Sequence, residues 1–279
     1  MRDLKIFKEP FFWLGLLLLL VWAAVFSLPD GNLHLYFCQV GQGDAILVTY
    51  RQTQVLIDGG PDQQVLNCLA KHLPFYDRQI EAVFLTHPEE DHFTGLIDVL
   101  KRYNVRYFVA NSLVKESNAF QVLQQLVSVE KSSVYQPQKD DQIKLGQLAL
   151  VVLWPPDLKK IKNSDLNDLS LVLRLDFGDF QALLSGDISS EVEKQLVLKK
   201  VEVLKVAHHG SKFSTSEEFL AKVQPQVAII SVGKNRFGHP TSEVIQRLQA
   251  LGIKIFRTDQ NGEIEITTNG TVWQVSPGF

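Results

Sequence analysis

The sequence predicts an α/β domain made of two packed sheets with helices on their outer faces, preceded by one transmembrane helix. Two observations predict this class. Strand-like apolar runs are interrupted by helical patterns on both sides of the midpoint of the chain, which is typical of two sheets covered by helices. One long uncharged stretch lies close to the N-terminus, which is typical of a membrane segment.

Composition and charge exclude several classes of protein. The chain has 279 residues, of which 45% are hydrophobic and 21% are charged. These values exclude a disordered chain, a collagen and a disulfide-rich miniprotein. The formal net charge of −3 means that contact with nucleic acid must come from a local patch or a bound cation. Cys38 and Cys68 can form at most one bridge, and we expect them instead to be small buried hydrophobes.

Residues 11–28 are predicted to form a membrane anchor. This uncharged run would reach roughly 27 Å as a helix, close to the thickness of the hydrocarbon core of a bilayer. Arg2, Lys5 and Lys8 precede it, and no basic residue follows until Arg51. The positive-inside rule therefore predicts a single-pass protein of the plasma membrane, with the flank 1–10 in the cytoplasm and the domain 30–279 outside. A cleaved signal peptide is the alternative, and it would export the same domain.

The exported part is predicted to be one domain, since it contains no Gly/Ser linker, low-complexity tract or short repeat. Apolar and β-branched runs predict strands at Leu33–Val40, Ala45–Tyr50, Val55–Asp58, Ala82–Thr86, Arg106–Ala110, Gln147–Leu153, Leu169–Phe177, Phe180–Ser185, Val203–Val206, Val227–Val232, Lys254–Arg257, Gly262–Thr267 and Val272–Val275. Apolar residues at helical spacing predict helices at Asp62–His72, His92–Tyr103, Ala119–Val129, Ser190–Leu198, Glu217–Val223 and Thr241–Leu251.

Five of the seven histidines fall in three short segments that each follow a predicted strand. Loops at the ends of strands are where site residues usually lie. In the first segment, residues 86–92, two histidines and several carboxylates lie within a short turn. Imidazole and carboxylate are ligands for Zn, Mn and Fe, so this segment predicts a metal site. The alternative is an ordinary helix start with Asp91 as its N-cap.

Three further segments carry polar residues directly after strands. Asp187 is placed to bridge metal ions, although an N-cap is the alternative there. In His208-His209 one ring can ligate a metal while the other orients it or contacts substrate. The loop of residues 233–240 would be locally positive, the alternative being a solvated turn. We expect Asp58 to hold the metal ligands in place without contacting the metal itself.

Taken in order, these motifs resemble the metallo-β-lactamase fold, and more narrowly the extracellular C-terminal hydrolase domain of the ComEC competence proteins. The strings that carry the resemblance are FCQVGQGDAILV, LIDGG, LTHPEEDH, NDLSLVLRLDFGDF, LLSGDI, VLKVAHHGSK, IISVGKNRFGHP and RTDQNGEIEI. They extend from Phe37 to Ile266. The resemblance implies a four-layer αββα sandwich with metal ions at the edge of the sheets.

The resemblance also implies roles for individual residues. The metal-binding positions are occupied by His87, Glu89, Asp91, His92, Asp187 and His208. Catalytic roles would belong to Asp91, which would orient the attacking water, and to Asp187, His209 and Lys212. Substrate-binding positions would be Asn167, Ser211, Lys234, Arg236 and His239.

Two positions depart from the wider pattern of the fold. Glu89 stands where a histidine is common, and the region of Asn167 replaces a later histidine. More oxygen ligands favour Mn²⁺ or Mg²⁺ over Zn²⁺. The resemblance itself implies a divalent metal bound as two ions of Mn or Zn, with Mg as a further option.

The function expected from the resemblance is a membrane-anchored, metal-dependent phosphodiesterase or nuclease. It would act on DNA during uptake, alongside a separate competence channel protein. Two alternatives remain open at this point. One is a metal-dependent hydrolase of another ester, and the other is a metal-poor accessory that binds DNA for the channel.

Overall fold

The computed structural model describes residues 10–26, 29–111, 115–130, 132–156 and 165–278. It divides into two compact units, residues 1–31 and 32–279. The first unit contains one helix, α1 (Pro10–Phe26), of 17 residues. No helix among the described residues is both long enough and apolar enough to cross a membrane. The transmembrane helix predicted at residues 11–28 is therefore not confirmed, and residues 1–9, 27 and 28 lie outside the described part of the chain.

The second unit contains two sheets. The first has eight strands in the order β15-β14-β1-β2-β3-β4-β5-β6, and the second has seven in the order β13-β12-β11-β10-β9-β8-β7. The strands are β1 (Leu33–Phe37), β2 (Ile46–Tyr50), β3 (Thr53–Ile57), β4 (Gln79–Leu85), β5 (Asn104–Ala110), β6 (Ser133–Tyr135), β7 (Gln142–Leu145), β8 (Leu148–Trp154), β9 (Val172–Phe177), β10 (Phe180–Leu184), β11 (Val203–Lys205), β12 (Val227–Ile230), β13 (Lys254–Arg257), β14 (Ile264–Thr268) and β15 (Trp273–Pro277).

Helices connect the strands and cover both sheets. They are α2 (Val65–His72), α3 (Glu90–Leu100), α4 (Asn118–Val129), α5 (Ser190–Glu193), α6 (Glu217–Val223), α7 (Ser242–Ala250) and α8 (Thr258–Asn261). Side chains alternate across each strand. In β3, Val55 and Ile57 therefore join the core between the sheets, while Leu56 packs with α2 and α3. The second sheet packs against α5, α6 and α7 in the same way. The predicted sandwich of two sheets between helices is confirmed.

Parallel pairing places the ends of several strands together. In the first sheet β3, β4 and β5 are parallel neighbours, and in the second β10, β11 and β12 are parallel neighbours. The loops that follow these strands therefore emerge at one edge of each sheet. Most of the chemically distinctive residues of the sequence lie in these loops.

The structure departs from the predicted elements in a few places. Strands β6 and β7 were not predicted, because they have three and four residues and expose much of their surface. The strand predicted from Leu169 begins at Val172, because Asn167–Leu169 forms a 3₁₀ turn. Cys38 and Cys68 are buried as expected, and they form the one bridge that the sequence allows, so the preference for two unbridged hydrophobes is wrong.

Candidate metal centre

A compact group of imidazoles and carboxylates lies where the loops after β4, β10 and β11 meet. His87 follows β4, Asp187 follows β10, and His209 follows β11, while Asp91 and His92 lie in the first turn of α3. The donor atoms of His87, His92 and Asp187 all lie within 4.8 Å of one another, and so do those of Asp91, His92 and His209. We call these five residues the donor cluster.

Asp187 lies close to two histidines of the donor cluster. One oxygen of its carboxylate lies 3.4 Å from Nε2 of His92 and 3.3 Å from Nε2 of His209. Asp91 approaches Nε2 of His209 to 3.3 Å on the other side. The rings of His87 and His92 have centroids 4.1 Å apart, and those of His92 and His209 5.5 Å. Asp187 therefore lies between the two groups of donors and can serve both.

The histidines of the cluster are held through their Nδ1 atoms, and their Nε2 atoms are left for another partner. Nδ1 of His92 lies 2.8 Å from the carboxylate of Asp58, and Nδ1 of His209 lies 2.8 Å from the carbonyl of Ser231. Nε2 of His87, His92 and His209 is buried and makes no hydrogen bond. Ligating histidines characteristically have one ring nitrogen fixed in this way. The donor cluster therefore fits a divalent metal.

The carboxylate of Asp58 is itself fixed. It accepts hydrogen bonds from the backbone N–H and the hydroxyl of Thr86, at 2.8 and 2.7 Å. Helix α3 lies against the loop after β3 because Gly95 has no side chain: a Cβ there would be 2.0 Å from the carbonyl oxygen of Gly59. This close approach keeps His92 beside Asp58. Asp58 thus supports a histidine of the donor cluster, as expected from the sequence.

The electrostatics of the cluster favour binding of a cation. Burial disfavours charge on His92, but the carboxylates of Asp187 and Asp58 outweigh it and raise the pKa of the imidazole well above its ordinary value. Burial is outweighed at His209 too, where Asp187 raises the pKa to about 10. Burial and the neighbouring His92 hold the pKa of His87 well below its ordinary value. The rings of His92 and His209 thus carry protons that lie between carboxylates. A metal ion would bind at the same positions.

Two functional candidates, Asp44 and Lys205, were missing from the sequence prediction. Lys205 is 1% exposed and its ammonium group contacts the carboxylate of Asp44. It also lies 3.4 Å from Asp187 and donates to the carbonyl of Gly186 at 3.0 Å. The signal that could have revealed it is a lysine inside an apolar strand, since an unpaired lysine is almost never buried.

The structure separates the two adjacent histidines. His209 belongs to the donor cluster, whereas His208, predicted as the ligand, is partly exposed and points its ring at His239, with centroids 5.5 Å apart. Both residues have positive φ angles, 49° and 52°. Such left-handed backbone is uncommon outside glycine, and here it turns the chain so that the second ring faces Asp187.

Two other predicted positions lie outside the donor cluster. Glu89 pairs with Lys115 at 2.7 Å. Asn167 opens the 3₁₀ turn, and its carbonyl accepts hydrogen bonds from Ser170. Within the described residues, Glu89 belongs to no group of three His, Cys, Asp or Glu side chains that could hold a metal ion.

Lys212 and the predicted substrate-binding residues other than Asn167 lie on two loops, those that follow β11 and β12. Ser211 is buried, while Lys212, Lys234 and Arg236 are exposed and His239 is partly exposed. None of the three cations takes part in an ion pair among the described residues. The loops are joined by a hydrogen bond from the N–H of residue 241 to the carbonyl of residue 210, at 2.9 Å. These two loops therefore expose three cations, in a chain whose formal net charge is −3.

Known proteins are similar to this chain in sequence. The model of the metallo-beta-lactamase superfamily matches residues 38–159. ComE operon protein 3 of Bacillus subtilis (strain 168) is 36% identical over 252 residues, which cover 81% of this chain and 32% of that protein. Competence protein ComA of Neisseria gonorrhoeae is 41% identical over 110 residues, covering 37% of this chain and 16% of that protein. The chain thus spans a third or less of the length of these relatives.

A solved structure supports the same fold. The metallo-beta-lactamase fold protein YhfI from Bacillus subtilis superposes with a TM-score of 0.57 at 12% identity, covering 84% of this chain and 99% of that one. The chain carries a metallo-β-lactamase domain and is related to competence proteins, which confirms the resemblance seen in its motifs. This fold implies the binding of divalent metal ions, which the donor cluster fits.

Proposed function

We propose that the chain is a metal-dependent phosphodiesterase that cleaves DNA during DNA uptake. The observation that carries this proposal is the donor cluster, in which three buried Nε2 atoms make no hydrogen bond and beside which two loops carry exposed cations. A metal bound there would supply Lewis-acid stabilisation and activate water for attack on phosphorus. The similarity to a protein named for competence makes DNA the substrate to test first.

Five residues would hold the metal, and one of them would also orient the attacking water. His87, Asp91, His92, Asp187 and His209 would hold the metal, with Mn²⁺ or Zn²⁺ the first choices and Mg²⁺ the third. His209 takes this role in place of the predicted His208, because its ring faces Asp187 at 3.3 Å. The side chain of Asp91 is 33% exposed, compared with 4% for Asp187. Asp91 is thus the carboxylate that can also reach and orient a water molecule.

The exposed cations would act on the substrate. Lys212, Lys234 and Arg236 lie on the loops that frame the cluster, and each is exposed. They would neutralise the non-bridging phosphate oxygens as charge develops on them. Buried Lys205 would instead balance the carboxylates of Asp44 and Asp187, which it contacts.

We further propose that the domain works outside the cytoplasm, anchored by the apolar N-terminal segment and serving a separate channel protein. The Cys38–Cys68 disulfide supports this location, because disulfides persist mainly in oxidising compartments. The basic residues that precede the apolar segment support a cytoplasmic N-terminus.

The proposal is tested by removing the central carboxylate. Asp187→Asn in the full chain should lower cleavage of labelled single- and double-stranded oligonucleotides by at least about 100-fold with Mn²⁺, Mg²⁺ or Zn²⁺, because loss of even an indirect support of a metal costs 10- to 100-fold. Asp179→Asn is the matched control. It lies at the opposite end of β10 in the exposed turn after β9, and it should cleave like the unmodified chain.

Two outcomes would contradict the proposal. Undiminished cleavage by Asp187→Asn would remove the cluster from the reaction. Absence of cleavage by the unmodified chain with every metal, together with tight DNA binding, would favour the accessory that binds DNA without cutting it.

A further inference from the structure

We propose that Phe237 and Phe213 are platforms on which the bases of a single-stranded nucleic acid stack as the strand enters the donor cluster. This inference rests on the proposed function and narrows its substrate to strands whose bases are free to leave the stack. Phe237 is 65% exposed and Phe213 is 67% exposed. They lie on the two loops that frame the cluster, one after β12 and the other after β11.

A continuous series of rings leads from the buried cluster to Phe237. The ring of His209 lies 6.3 Å from that of His208, which lies 5.5 Å from that of His239. The ring of Phe237 then stacks on His239 with centroids 5.8 Å apart and planes inclined by 29°. The series begins at His209, which approaches Asp187 to 3.3 Å, and ends at the exposed ring of Phe237. It therefore marks one path along which a planar group could extend outward from the reacting phosphate.

The loop that carries Phe237 is held in place. The side-chain amide of Asn235 donates to the carbonyls of Gly233 and His239, at 2.9 and 2.8 Å. Its oxygen accepts from the N–H groups of Phe237 and His239, both at 3.1 Å. One asparagine thus satisfies four backbone groups of the loop. An exposed phenyl ring on a loop fixed in this way is available to a ligand without a large ordering cost.

Phe213 is supported separately. Its carbonyl accepts from the N–H of Ser190 at 2.8 Å. The guanidinium of Arg247 donates to the carbonyls of Lys212 and Ser214 on either side of it, at 3.4 and 3.1 Å. The ammonium group of Lys212 lies 5.2 Å from the centre of the Phe213 ring. A cation and an aromatic face are therefore presented together, as a phosphate and its base require.

The combination favours single strands over duplexes. Exposed aromatic rings stack on bases that are not already stacked within a helix, and they do so without reading sequence. The neighbouring cations, Lys212, Lys234 and Arg236, suit the phosphates between such bases. A double helix presents phosphates to the same cations but hides the faces of its bases.

The test measures binding separately from cleavage. Phe237→Ala and Phe213→Ala are each made in the full chain carrying Asp187→Asn, and the affinity for a labelled single-stranded oligonucleotide is measured by fluorescence anisotropy with Mn²⁺. Each is expected to weaken binding by about fivefold or more, as loss of a base-stacking ring does. The affinity for an oligonucleotide of the same length with abasic sites throughout should change less than about twofold. Phe237→Trp should restore binding.

Phe75→Ala is the matched control, because Phe75 is 86% exposed but precedes β4, whose other end carries the cluster. It should bind like the parent chain. Equal losses on the normal and abasic strands, or no loss on either, would overturn the inference. A second outcome would also overturn the inference: the variants keep their affinity for the oligonucleotide but no longer co-sediment with anionic phospholipid vesicles. That result would assign the two rings to a membrane surface. If the rings affect binding as expected but no metal supports cleavage, the proposed nuclease fails and the stacking site stands.

Discussion

At the scale of single residues, two adjacent histidines have different surroundings, and the proposed choice of metal ligand depends on this difference. His208 and His209 have the same side chain and similar left-handed backbone. Only His209 has its Nδ1 fixed by a carbonyl while its Nε2 is buried without a hydrogen bond. The ring of His208 instead lies between those of His209 and His239 in the ring series that leads to solvent.

We therefore expect the two alanine substitutions to differ. His209→Ala should lower the metal affinity of the chain by at least about 100-fold, because a donor is lost directly, whereas His208→Ala should keep the affinity within about tenfold. The measurement is competition with a fluorescent chelator, with bound metal counted after dialysis. The reverse order of effects would return the ligand role to His208.

The residue scale also shows what the sequence could predict. The position of His87, Asp91, His92 and Asp187 shortly after strands β4 and β10 follows from the spacing of imidazoles and carboxylates after apolar runs. The choice between His208 and His209 could not be predicted, because it depends on the φ angles of the turn. Lys205 was missed because its partner Asp44 lies 161 positions away in the sequence and pairs with it only when the sheets meet.

At the scale of elements, the strands and helices with a clear apolar period were predicted, and the short edge strands were not. Strand β6 has three residues, all exposed, so no alternation distinguishes it from a loop. Helix α2 begins at Val65 and not at the predicted Asp62, and the helix predicted at Ser190–Leu198 ends at Glu193. Cys68, on the buried face of α2, is bonded to Cys38 just beyond β1, and sequence spacing alone could not show that the two sulfur atoms meet.

The disulfide should stabilise the second unit measurably. It closes a loop with a sequence separation of 30 residues, for which the chain-entropy model gives about 3 to 4 kcal/mol. Reduction with dithiothreitol should then lower the melting temperature by roughly 6–12 °C. The double variant Cys38→Ser, Cys68→Ser should start lower and show no response to the reductant. A reductant effect of the same size on both proteins would mean that the bridge is not its cause.

At the scale of the whole molecule, metal ions and protons compete for the same atoms. The pKa of His92 lies well above its ordinary value, and that of His209 is raised to about 10. Raised pKa values stabilise the metal-free fold fully below the unfolded value of about 6.5, and this stabilisation is lost as the pH rises through the folded values. A metal ion must displace these protons, so it binds more tightly as the pH rises.

The stabilisation by metal should therefore grow with pH. Between pH 6.5 and 8.5 we expect the melting temperature without metal to fall and the increase produced by a fixed Mn²⁺ concentration to become larger. At an ion concentration 100 times the dissociation constant, the increase corresponds to about 2.7 kcal/mol. Differential scanning calorimetry with and without a chelator measures both. An increase that shrinks over this range would contradict the proton competition.

The donor cluster also has a consequence for how the two halves of the sandwich hold together. His87, Asp91 and His92 belong to segments of the first sheet, and Asp187 and His209 to segments of the second. A coordinated ion would therefore form a reversible cross-link between the two sheets at one edge of the sandwich. Coordination by all five donors would therefore require both sheets to be in place.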